Sequence, residues 1–225
     1  MNILVLAPHA DDETLGCGGV IARFATEGHR VIVGVVTGPG EGEHPFVPKH
    51  LFDEVRAELR QAASILGVAD IIFGNVATTM AADTQRRTLN AEVKRIIDAA
   101  DPEVLFVPFP FDLHSDHREV FHAASIAWRP YLESGRRIRE VYCYEVLSET
   151  HLNIPYVEQG FTPNCWFDIS DQLEAKLTAF AAFRSQMQEA PLPRSLEALR
   201  AMAIWRGSQI GVRAAEAFVL VRNLR

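Results

Sequence analysis

Asn2 to Ala7, N-I-L-V-L-A, is apolar almost throughout and lacks alternation, the pattern of a strand covered on both faces. Leu15, Val20, Ile21 and Phe24 then recur near helical spacing within Thr14 to Glu27, and Gly28 marks the stop. Arg30 to Thr37, R-V-I-V-G-V-V-T, predicts a second buried strand. Strand, helix and strand in that order imply a right-handed crossover and a parallel sheet. Gly38 to Phe46 has loop composition. Pro48 opens a helix that runs to Leu66, with Gly67 as its stop. Further strands are expected over 70–74, 103–108 and 138–146, with helices over 84–100 and 117–132 between them. The last third adds short strands near 165–169 and 216–221, and helices from Asp171 and from Ser195. The reading is one α/β domain over residues 1–225. Its sheet is doubly wound, Rossmann-like and mostly parallel, with helices on both faces.

Composition narrows the function. Hydrophobic residues make up 48% of 225 positions, enough for a packed core. The formal net charge is −7, with no basic run, which argues against a nucleic-acid or acidic-membrane partner. Cys17, Cys143 and Cys165 are odd in number and widely spaced, so neither a disulfide framework nor a Cys-rich zinc site is expected. The first apolar run is too short for a signal peptide or a membrane span. A cytoplasmic protein is expected, with its oligomeric state open.

Two polar clusters fall where strands end. Pro8-His9-Ala10-Asp11-Asp12-Glu13 follows the first strand, and Asp112-Leu113-His114-Ser115-Asp116-His117 follows the fourth. In an open parallel sheet both lie in the ligand crevice. Three acids and a histidine at one strand end repel one another unless a cation intervenes. Imidazole and carboxylate suit a hydrolytic zinc site with three protein ligands and one open position. His9, Asp12 and His117 form such a set, with Asp11 free beside it as a candidate base. Spacing alone does not say which aspartate binds and which takes a proton.

P-H-A-D-D-E-T-L-G-C-G-G together with D-L-H-S-D-H-R-E-V resembles the PIG-L/LmbE family of zinc-dependent N-acetyl-sugar deacetylases. The resemblance extends to Arg56 and Glu58, Tyr144-Glu145, F-T-P-N with F-D-I-S, Ser185-Gln186, and R-G followed by A-E-A-F. It implies His9, Asp12 and His117 as ligands of one Zn2+ per chain, other divalent metals being tolerated. It implies Asp11 as general base toward zinc-bound water and His114 as the group that steadies the oxyanion, with either of the two as the source of the leaving group's proton. Arg56 stands on the substrate side by the same resemblance. Glu145, at a strand end, is a second candidate substrate contact. The implied substrate is a small N-acetylglucosamine-type sugar or conjugate, released as acetate and a free amine. The sequence departs from the family at Ala10, where a proline is usual. It departs again at N-V-A-T-T-M, where the family has a sugar-contacting aspartate.

Two other functions compete. Gly16-x-Gly18-Gly19 hints at a Rossmann-type nucleotide binder, but the strand end is filled by acids that repel phosphate. A metal-dependent phosphoesterase needs more ligands and usually two metals.

Overall fold

The computed structural model describes residues 1–154 and 156–225. Seven strands form one sheet: β1 (Asn2–Ala7), β2 (Arg30–Gly38), β3 (Asp70–Ala77), β4 (Val104–Pro108), β5 (Glu140–Tyr144), β6 (Cys165–Asp168) and β7 (Ala215–Asn223). Their order is β3-β2-β1-β4-β5-β7-β6. The first five strands are parallel, and β7 runs antiparallel to both β5 and β6.

The absence of alternation in β1 now has its cause. Ile3 and Val5 enter one core cluster, and Leu4 and Leu6 enter the other, on the opposite face. Helices α1 (Asp12–Thr26), α2 (Lys49–Leu66) and α6 (Leu173–Phe180) pack together, while α3 (Arg86–Ala100) packs with α4 (Ser115–Ser125). Gly67 closes α2 in the left-handed region at φ 76°, as its position predicted. The helix expected over 117–132 is instead α4 followed by the short α5 (Glu133–Arg137). It begins early because the His114 side chain accepts the Asp116 N–H. It ends at Ser125, and the chain turns before Pro130, which lacks the N–H that a helix continued to 132 would need. The remaining helix is α7 (Leu196–Ser208), which starts on the Ser195 hydroxyl accepting the Ala198 N–H.

The glycines after the first cluster serve packing. A Cβ on Gly16 would lie 2.5 Å from the Tyr144 ring, and one on Gly19 would lie 2.6 Å from Ile169. Helix α1 thus approaches its neighbours at backbone distance. Glu216 accepts the N–H groups of Gly19 and Val20 at 2.9 and 2.7 Å. Lys176 donates to that same carboxylate at 2.6 Å and to the Leu15 carbonyl at 2.7 Å. Both side chains are buried. Lys176→Ala would strand a buried carboxylate, and a loss of about 3–5 kcal/mol is expected. Urea unfolding checks this; a loss under 1 kcal/mol would show that the pair ties nothing down.

The chain winds outward from β1 through β2 to β3, then returns to the other side of β1 as β4. The direction of winding therefore reverses between β1 and β4. The crevice at their carboxyl ends is the switch point where open α/β sheets bind ligands.

Candidate metal centre and cavity

Both polar clusters open onto that crevice. His9 follows β1 and faces His117 on α4, with ring centroids 5.4 Å apart. Nitrogen or oxygen atoms of His9, Asp12 and His117 lie within 4.8 Å of one another. Each histidine is fixed from behind by a carboxylate. His117 Nδ1 lies 2.8 Å from Asp112 Oδ2, and His9 Nε2 lies 3.0 Å from Asp116 Oδ2. If those nitrogens carry the protons, His9 Nδ1 and His117 Nε2 turn their lone pairs inward, both 3.2 Å from Asp12 Oδ2. His117 Nε2 is fully buried and has no hydrogen-bond partner among the described residues. A fully buried ring nitrogen 3.2 Å from a carboxylate oxygen, without a hydrogen bond to it, fits a cation placed among the three.

A second trio, His9, His114 and Asp116, is nearly as tight. It suits a metal less well. Asp116 already accepts the N–H groups of Thr79 at 2.6 Å and Ala81 at 3.1 Å, and it holds His9.

The charges follow the packing. Burial opposes ionisation of Asp12, but His117 and His9 outweigh it and hold its carboxyl well below the usual range. Burial likewise opposes the His9 imidazolium, yet its bonds to Asp116 and Asp12 raise it to about 9. Burial pushes Asp11 well above the usual carboxylate range, and the charges of Asp12 and Glu13 add to that. Burial also lowers His114 to about 4, helped by the charge of His9.

The turn closes without the family's proline. Asp12 Oδ2 accepts the His9 N–H at 2.9 Å, and Glu13 accepts the Asp11 N–H at 3.1 Å and the Thr14 hydroxyl at 2.6 Å. Between them Asp11 takes φ 148°, a conformation non-glycine residues rarely adopt. Glu13 is thereby a structural acid at the start of α1. With three buried acids at that helix end, a pyrophosphate has no place there.

A cavity of about 350 Å³ adjoins this centre, with His9, Asp11, Asp12 and His114 on its wall. Arg56 of α2 reaches the same cavity, its guanidinium 4.9 Å over the Phe73 ring. Glu145 does not. Its carboxylate is buried, gripped by Arg206 at 2.5 and 2.7 Å and by His151 at 2.7 Å, so it braces the strand end instead of facing the cavity. Arg194 enters unannounced by the sequence. It lines the cavity with Nη1 3.9 Å from Asp11 Oδ2, from an irregular segment far along the chain. No motif surrounds it, and only the fold brings it here. Asp112 and Asp116 had weak signals, being acids beside histidines; the structure makes them the groups that orient His117 and His9.

The family profile described as PIG-L, GlcNAc-PI de-N-acetylase, matches residues 4–128, which include both clusters. The chain belongs to the PIG-L family. This PIG-L protein is 28% identical to the diacetylchitobiose deacetylase of Thermococcus kodakarensis over 99% of its own length and 84% of that protein's. It superposes on the N,N'-diacetylchitobiose deacetylase of Pyrococcus horikoshii with a TM-score of 0.75 at 25% identity, over 98% of this chain and 83% of that one. It also superposes on GalB, the 4-carboxy-2-hydroxymuconate hydratase of Pseudomonas putida KT2440. There the TM-score is 0.74 at 22% identity, over 98% and 96% of the two chains. The fold is thus shared by a hydratase, so the chemistry of this PIG-L protein has to be argued from its own side chains. Among the described residues no helix is long and apolar enough to cross a membrane.

Proposed function

We propose that the protein removes the N-acetyl group from an N-acetylglucosamine-type sugar or conjugate, giving acetate and a free amine. One observation carries this reading: two histidines, each fixed by a carboxylate, converge on Asp12 while Asp11 stands free beside them. The names of the similar deacetylases supply the amide sugar as substrate class.

His9, Asp12 and His117 hold the metal in this reading, one ion per chain, and zinc suits the donors best. When bound, it supplies a Lewis acid toward the amide carbonyl and lowers the pKa of water. The residues do the rest. Asp11, on the cavity wall, takes a proton from the attacking water as its oxygen bonds to the carbonyl carbon. His114 is neutral, and its Nδ1 accepts the Asp116 N–H at 3.1 Å, so its proton sits on Nε2. That N–H donates to the carbonyl oxygen as negative charge builds there. As the C–N bond breaks, Asp11 returns its proton to the departing nitrogen. His114, with its pKa near 4, is suited to hydrogen bonding more than to delivering that proton. Arg56 contacts the sugar from the α2 wall.

Acetate release from a panel of N-acetyl sugars tests the reading. Chelator is expected to abolish release and one equivalent of zinc to restore it. Full activity after exhaustive metal removal would sink the proposal. Two zinc equivalents with phosphatase activity would favour a phosphoesterase.

A further inference from the structure

Half of the Asp112 carboxylate has no task so far. Its Oδ2 meets His117 Nδ1 at 2.8 Å, but its Oδ1 is buried and takes no hydrogen bond among the described residues. A buried carboxylate oxygen without a donor is costly. Thr150 has the complementary deficit. It is buried on the segment after β5, and its Oγ1 accepts the Val146 N–H at 2.8 Å. Among the described residues, the hydrogen of that hydroxyl is given to no acceptor. The backbone brings the two side chains together. The Leu113 N–H donates to the Glu149 carbonyl at 3.3 Å, so residues 112 and 150 flank one bond between the segments. Further bonds fix both segments around it. Asn153 Nδ2 donates to the Phe111 carbonyl at 2.5 Å. Arg118 Nε donates to the Asp112 carbonyl at 2.5 Å, and its other nitrogens grip Glu158 at 2.5 and 2.6 Å. Burial pushes the Asp112 carboxyl above its usual range, while His117 and the Thr150 hydroxyl work the other way.

We propose that Thr150 is a positioning residue for the metal: its hydroxyl donates to Asp112 Oδ1 and so holds the carboxylate that keeps His117 Nε2 turned inward. A carboxylate held at one oxygen can rotate about its own axis and let the imidazole follow. Held at both, it fixes the ring. Thr150 has this role only if His9, Asp12 and His117 hold an ion, as proposed above. It touches neither the ion nor the substrate, and it acts through Asp112 alone.

Zinc affinity decides the matter, read by competition with a chromogenic chelator on proteins shown to be folded by circular dichroism. Thr150→Val keeps the shape and removes the hydroxyl, and affinity is expected to fall roughly 5–20-fold. Thr150→Ser keeps the donor and is expected to retain the affinity of the unaltered protein. In an Asp112→Ala background, Thr150→Val is expected to cost no further affinity, because the acceptor is already gone. A general loosening of the segment would lower affinity in both backgrounds alike. Urea unfolding in chelator reads the lost Val146 bond separately, as stability of the metal-free protein. Should Thr150→Val fail to fold, Thr150→Ala replaces it in the same comparisons. Unchanged affinity without the hydroxyl, a loss in Thr150→Ser equal to that in Thr150→Val, or equal losses in the two backgrounds overturns the role, while zinc binding by the unaltered protein leaves the metal reading standing. An unaltered protein that takes up no zinc overturns the metal reading and the role with it.

Discussion

Asp11→Asn is expected to bind as much zinc as the unaltered protein and to lose hydrolysis of N-acetyl sugars by roughly 10²–10⁴-fold. The proposed ligand set His9, Asp12 and His117 is untouched by the change. Asparagine matches aspartate in shape and leaves the Asp11 N–H bond to Glu13 in place, so the 148° turn is expected to survive. What disappears is the capacity to hold a proton between the attacking water and the leaving amine. Arg194 Nη1, 3.9 Å away, cannot substitute, because a guanidinium does not act as a base at neutral pH. Metal content by atomic absorption and kcat on one substrate, measured on the same preparation, decide the matter. Full zinc with normal turnover would remove Asp11 from its role.

His117→Ala is expected to fail differently, with metal and activity lost together. The substitution deletes a buried residue of the proposed ligand set and leaves Asp112, equally buried, facing an empty space. Asp112→Asn tests the same arrangement from behind. It keeps the ligand but weakens the group that fixes its orientation, and zinc affinity should fall about 10–100-fold. A His117→Ala protein that retains stoichiometric zinc would show that the set is wrong. An Asp112 variant with unchanged affinity would show that the carboxylate behind the ring is incidental.

The strands and most helices were legible because β1, β2 and β4 are apolar without interruption and because Gly67 and Pro102 punctuate the chain. The convergence of the two clusters was legible for a topological reason, since both follow strands that flank the switch point. Side-chain allegiance was not legible. Arg56 and Glu58 read as one motif, yet they face apart. Arg56 lines the cavity, while Glu58 accepts the N–H and hydroxyl of Ser185 at 2.9 and 2.6 Å. Glu145 and Arg206 read as separate signals and are one buried pair. Such pairings join residues dozens of positions apart, and no local period encodes them. Arg194 had no pattern at all, because an irregular segment advertises neither spacing nor face.

The carboxylate of Glu58 has a consequence for how this architecture diversifies. The proposed reacting groups all come from the two clusters, both anchored at the central strands. Part of the cavity wall comes from the chain around Ser185 to Arg194, moored to α2 through the Glu58 carboxylate. Much of the cavity wall is thus carried by a stretch of the polypeptide separate from the two clusters. A graft of residues 186–193 that spares both the mooring and Arg194 is expected to change which substrate is accepted while leaving turnover of a small N-acetyl sugar as it was.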